Sequence, residues 1–275
     1  MGLLQALIIG IVQGLTEFLP LSSTAHTRIA PALLGWEDPG AAFSAVIQLG
    51  TLLAVLVYFR SDIARALRGW AKGFRGGSAA KTPEARLGWA IFYGTMPVSA
   101  AALLFKPLIE DEFRSLYVIA AALGGMALLL WVSELAAAHV RRLDSVRPLD
   151  GWIVGVFQAL ALVPGASRSG STITGALFMG FDRPTAARFS FLLSVPAILI
   201  SGLYELWDQR AELFAAGPGA VLVGATAAFF VGYASIEFLL RYLRTHSTAV
   251  FIVYRIALAA LLLWLLWAGV LKPLG

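Results

Sequence analysis

The strongest constraint on this chain is a set of six apolar runs, at roughly 41–59, 87–105, 115–138, 186–206, 219–240 and 248–270. Each is close to the about 20 residues that a helix needs to cross hydrocarbon. Backbone polar groups have no water to bond there, so such runs must close their hydrogen bonds internally as helices. Of the 275 residues, 59% are hydrophobic and 13% charged, where a soluble domain carries about 25% charged residues. The sequence therefore describes an all-α polytopic membrane protein. Residues 1–275 make a single membrane domain, because no polar stretch is long enough to form a second one.

Two further regions, 2–35 and 151–181, are apolar but broken in the middle by Pro, Ser, Thr and Gly. They read as helical hairpins that enter the membrane and return. Loop charge then sets their direction. The segment Arg60 to Arg86 holds Arg60, Arg65, Arg68, Lys72, Arg75, Lys81 and Arg86 against Asp62 and Glu84, and 139–150 holds Arg141, Arg142 and Arg147. Basic loops stay in the cytoplasm. Lys106 to Arg114, with Glu110, Asp111 and Glu112, suits the outside, as does 208–213, which is not basic; Arg241 and Arg244 mark another cytoplasmic turn. Counting spans, hairpin 2–35 opens to the outside and hairpin 151–181 to the cytoplasm. The net charge of +5 thus reports topology, and no nucleic-acid partner is implied. Without cysteines, disulfides and thiolate metal sites are excluded. The start, "MGLLQALIIG", lacks a basic region and a small-residue cleavage site, so it is not expected to be a removable signal peptide.

The two halves, about 1–140 and 150–275, also resemble each other. "GIVQ" (10–13) matches "GVFQ" (155–158), "LGWEDPGAA" (34–42) matches "MGFDRPTAA" (179–187), and "PLSST" (20–24) falls against "PGASR" (164–168), one residue out of phase. Six spans plus two re-entrant hairpins in an inverted repeat is a transporter-like plan, with sites where the broken helices meet.

The breaks carry the chemistry. In the first, Gln13 and Glu17 share one helix face, Pro20 ends the helix, and Ser22, Ser23, Thr24 and His26 follow. Ionisable groups at this depth are functional by default; Ser22 and Thr24 also suit helix capping. In the second, Gly165 and Gly170 bracket Ser167, Arg168 and Ser169 ahead of the helix "TITGALFMG" (172–180). Inward N–H groups, a helix N-terminus and a guanidinium fork suit a phosphate. Ser169 and Ser171 could equally be caps. An anion clamp beside a nucleophile and a base suits a phosphate ester or anhydride, with Glu17 as base or cation ligand and His26 as nucleophile, base or acid.

"QGLTEFLPLSSTAH" and "PGASRSGSTITG" resemble the two signature regions of the bacterial undecaprenyl-pyrophosphate phosphatase, or bacitracin-resistance protein, family, and the resemblance covers essentially the whole chain. It implies hydrolysis of undecaprenyl pyrophosphate to the monophosphate in the bacterial inner membrane, at a site open to the extracytoplasmic side and using Mg²⁺ or Ca²⁺. Carried over by motif, the catalytic residues are Glu17, Ser23, His26 and Arg168. The phosphates fall to Arg168, Ser167 and Thr172, with Ser169 and Gly165 beside them. The metal falls to Glu17 and Gln13, although Gln13 is uncharged and weakens a site built on two carboxylates. Partners are the polyprenyl pyrophosphate and bilayer lipid; a homodimer is left open. Whether Ser23 or His26 attacks is not decided by sequence. A lipid flippase would share the repeat. An acid-phosphatase-like membrane enzyme would need a histidine at a suitable distance after the Ser-Arg element, which has none before His246.

Overall fold

The computed structural model describes residues 1–37, 40–105, 115–208 and 217–271. The helices are α1 (Leu3–Phe18), α2 (Ser23–Leu34), α3 (Gly40–Tyr58), α4 (Arg60–Gly73), α5 (Pro83–Leu104), α6 (Leu116–Ala136), α7 (Pro148–Leu160), α8 (Arg168–Phe178), α9 (Arg183–Asp208), α10 (Pro218–Tyr242) and α11 (Ala249–Trp267). Among the described residues the only β feature is an isolated bridge, Arg141 to Phe181. Helices α5, α6, α9, α10 and α11 are long and apolar enough to span a membrane; α3 makes a sixth span if counted with α4, from which it is bent by 79°. The acidic segment 106–114 and residues 209–213 lie outside the described residues.

The sequence reading treated 60–86 as loop, yet α4 occupies half of it. Charge density hid the helix. Arg60, Arg65, Arg68 and Lys72 are spread along it, while Ala66, Gly69 and Gly73 are buried. That small-residue face lies on α5, and only an amphipathic rather than a run-based reading would find it.

Each broken region is a helix pair, α1–α2 and α7–α8. The first helix of each packs on a long helix of the other half, α1 on α10 and α7 on α5. Small residues make this possible. A Cβ on Gly10 would overlap the Gly224 carbonyl, and one on Gly14 would lie 2.8 Å from the Gly232 nitrogen. On the other side, Gly151 and Gly155 meet the Ala90 and Gly94 carbonyls just as closely. In hydrocarbon, helices gain mainly from such backbone approach, since lipid tails already satisfy apolar side chains.

The end of the bundle that carries the basic loops is tied by ion pairs. Arg188 reaches Asp62 at 2.5 Å, Arg141 forks onto Asp150 at 3.0 and 2.5 Å, and Glu134 accepts from Arg183 and from Thr248. His139 is half-buried, with Nε2 3.1 Å from the Glu134 carbonyl. His246 is exposed and stacks on Tyr242.

Candidate active site

The turns of the two hairpins meet inside the bundle. Ser169 Oγ on α8 donates to the Leu19 carbonyl at 3.1 Å, and Arg168 Nη1 lies 3.9 Å from Glu17 Oε1. Both second helices begin in the same way. Ser22 caps α2 and Ser167 caps α8, with φ of 76° and 70°. Side chains rarely adopt such backbone, which costs of order 1–3 kcal/mol at each residue and persists where surrounding contacts enforce it. Each hydroxyl accepts from the backbone N–H three residues on, at 3.4 Å for Ala25 and 3.1 Å for Gly170. These caps correct the phase of the sequence comparison. Ser22 pairs with Ser167, at the same chain separation as Gly10 with Gly155 and Gln13 with Gln158, so Ser23 stands against Arg168 rather than Thr24.

Glu17 is the hub of the first turn. Its Oε2 accepts from Ser23 Oγ at 2.6 Å and from Gln13 Nε2 at 2.8 Å. Arg168 Nη1 has no hydrogen-bond partner among the described residues although it is buried from the surface. A donor left open beside a carboxylate-bound serine is the arrangement an anionic substrate would complete. His26 is held at both nitrogens. Nδ1 faces the Ser22 carbonyl at 2.8 Å, and Nε2 lies 2.6 Å from the Tyr254 hydroxyl.

The other phosphate candidates lie behind this surface. Thr172 is fully buried; its hydroxyl contacts the Arg168 carbonyl at 2.7 Å and Ser190 Oγ at 2.5 Å. Ser169 is buried and spent on Leu19, with Ser167 at 3.3 Å. Gly165 has a φ of 94°, and a Cβ there would lie 2.5 Å from the Ile119 carbonyl. Its own carbonyl points to a residue the sequence reading passed over.

That residue is Arg255, on α11, with 0% of its surface exposed. Its guanidinium donates to the Ala166 carbonyl at 2.9 Å, Gly165 at 3.2 Å, Leu123 at 3.3 Å and Pro20 at 3.4 Å. One side chain thus binds both turns. A Cβ on Gly170 would come within 2.5 Å of it, so α8 also needs glycine there. The signal was available: an arginine inside an apolar span, the same argument that picked out Arg168.

The donors around Glu17 are one carboxylate, one amide and one hydroxyl, and no group of three or more His, Cys, Asp or Glu occurs among the described residues. This set fits a Mg²⁺ or Ca²⁺ that arrives on a polyphosphate, because Mg²⁺ commonly binds through one or two carboxylates plus substrate phosphates.

The profile of the family described as "Bacitracin resistance protein BacA" matches residues 6–261. A protein of Myxococcus xanthus (strain DK1622) named "Undecaprenyl-diphosphatase" is 53% identical over 275 residues, covering 100% of this chain and 93% of its own length. Proteins of the same name from Chlorobium chlorochromatii (strain CaD3) and Gloeobacter violaceus (strain ATCC 29082 / PCC 7421) are each 50% identical. Both cover 99% of this chain, at 100% and 95% of their own lengths.

Proposed function

The chain belongs to the bacitracin resistance protein family, and from that premise we propose that it hydrolyses undecaprenyl diphosphate to undecaprenyl phosphate and inorganic phosphate. The product is the lipid carrier of cell-wall synthesis, and its recycling confers bacitracin resistance. One observation carries the reading: Arg168 Nη1, without a hydrogen bond among the described residues, lies 3.9 Å from Glu17 Oε1, and the other oxygen of Glu17 holds the Ser23 hydroxyl at 2.6 Å.

Arg168, the Ser167 turn and the N-terminus of α8 hold the diphosphate. Ser23 Oγ attacks the terminal phosphorus as Glu17 takes its proton. The bridging P–O bond breaks, and undecaprenyl phosphate leaves with the electron pair. Water then attacks the serine-bound phosphorus, gives its proton to His26, and the Ser23 oxygen leaves with the proton stored on Glu17. Ser23 is favoured over His26 as nucleophile because its hydroxyl already bonds the carboxylate, while both imidazole nitrogens are engaged. Thr172, Ser169 and Gly165 brace the turns from behind. Gln13 and Glu17 would hold a Mg²⁺ or Ca²⁺ carried by the diphosphate, which neutralises its charge.

The inner membrane, an extracytoplasmic opening and the inverted repeat belong to the same reading. Supporting it are the basic loops gathered at one end and the reciprocal packing of α1 on α10 and α7 on α5. Bilayer lipid covers the exposed apolar faces, and a homodimer is tested by the mass of the detergent complex. The decisive assay is phosphate release from undecaprenyl diphosphate in detergent, for wild type and Arg168→Ala. Full activity in the variant removes the clamp, and a trapped phosphohistidine removes the Ser23 mechanism.

A further inference from the structure

The hydroxyl of Tyr254 has no place in the reaction as written, yet it makes a short hydrogen bond to the reacting face of the site. Tyr254 lies on α11, far along the chain from His26, and its Oη stands 2.6 Å from Nε2. The two rings are nearly parallel, 14° apart with centroids at 5.6 Å.

The other end of the imidazole fixes what this contact means. Nδ1 faces the Ser22 carbonyl at 2.8 Å, and a carbonyl can only accept. Nδ1 therefore carries the proton, and in the neutral ring the lone pair is on Nε2. Tyr254 O–H donates to that lone pair. If the ring gains a proton, Nε2–H donates back to Oη, since a phenol does both. The bond survives either protonation state and holds the ring in one direction throughout.

Nothing local would place Tyr254 there, because the residue is 43% exposed. Its neighbour supplies the register. Arg255 is anchored to the Pro20, Gly165 and Ala166 carbonyls, which fixes α11 against both turns. Consecutive residues of one helix thus serve the two needs of the site, Arg255 for the spacing of the turns and Tyr254 for the histidine.

We infer that Tyr254 relays the proton of the attacking water to His26: Oη takes it from the water while the phenol proton passes to Nε2, whose lone pair that O–H already meets at 2.6 Å. The inference rests on the phosphatase reading above. It predicts that the loss falls on the hydrolysis of the serine phosphate and not on substrate binding.

The test is a double-mutant cycle on the full-length protein in detergent: wild type, Tyr254→Phe, His26→Ala and the double variant. Phosphate release from undecaprenyl diphosphate is followed together with acid-trapped phosphoserine. Tyr254→Phe keeps the ring and removes only the hydroxyl. It is expected to lower kcat about tenfold, the factor one hydrogen bond to a reacting group is worth, with KM within about twofold and more phosphoserine trapped. In the His26→Ala background the same change should have no further effect. A wild-type kcat for Tyr254→Phe overturns the inference, and so does an equal loss in both backgrounds, which would mark a structural role. If wild type itself releases no phosphate, the phosphatase reading falls first.

Discussion

Replacing Arg255 with methionine separates the stability of the two turns from their alignment. The side chain is fully buried and donates to four carbonyls, at 2.9 to 3.4 Å. Three of these, Pro20, Gly165 and Ala166, belong to the turns rather than to helices. Methionine has similar length and no donor, so those three lose this partner. A buried acceptor without a partner costs about 1–3 kcal/mol, which gives about 3–9 kcal/mol for the three. Against that, methionine avoids keeping a guanidinium out of water, worth several kcal/mol. The net loss of stability should be about 2 kcal/mol. Activity has no such offset. Glu17 and Arg168 face each other across the two turns at 3.9 Å, and a misplacement of about 1 Å can cost about 10²-fold in rate. The expected result is a small drop in thermal inactivation temperature and a fall of about 10²-fold in kcat for phosphate release, both measured in one detergent. Arg255→Lys keeps the charge, but one ammonium cannot span carbonyls on both turns, so it should fall nearly as far. A variant with kcat within threefold of wild type would refute the argument. Full rescue by lysine would assign the role to charge instead of geometry.

Glu17→Gln keeps the shape of the hub and removes the proposed base; kcat should fall about 10²–10⁴-fold with unchanged elution of the protein–detergent complex, and a fall below tenfold would reassign the base. Gly155→Val places a branched side chain on the Gly94 carbonyl, so folded yield should drop by more than the about 1–3 kcal/mol of ordinary overpacking implies. Asp150→Ala strips the carboxylate from Arg141 at the basic end and should cost about 3 kcal/mol of stability while KM stays within about twofold of wild type, because this pair lies away from the substrate.

The spans were legible because hydrocarbon imposes a length, and loop arginines supplied the order. What escaped was structure whose signal is not a run. Helix α4 carries its apolar face as Ala66, Gly69 and Gly73, too small and too diluted by arginine to register as hydrophobic. At the site, Glu17, Ser23, His26 and Arg168 stood out as polar residues in two short apolar neighbourhoods, and the structure brings the two neighbourhoods together. Tyr254 and Arg255 come from elsewhere in the chain and reach the turns only through tertiary packing of α11. Arg255 could have been flagged by its cost; Tyr254 could not, since a tyrosine in a span is ordinary. Thr172 was placed among the phosphate ligands by motif, but a threonine one turn into a helix bonds backwards to its own carbonyls, and here it does so to Arg168.

The corrected phase also explains why two similar hairpins do different work. With Ser22 against Ser167, the same strained cap opens α2 and α8, and the same glycine seats α1 and α7. The scaffold is shared and the reactive positions are not. Ser23 meets Arg168, Glu17 meets Leu162, and His26 meets Ser171. In the proposed mechanism one hairpin thus brings nucleophile, base and imidazole, and the other brings the cation and a helix N-terminus. Had both carried glutamate, two carboxylates would repel each other and the diphosphate; had both carried arginine, the serine would lack a base. A single Glu17–Arg168 pair across the interface gives each buried charge a counter-charge. It also leaves Arg168 Nη1 unbonded for a phosphate oxygen. Chemical division between matching turns therefore follows from the substrate's charge, and the buried Arg255 that binds both turns keeps the two contributions in register.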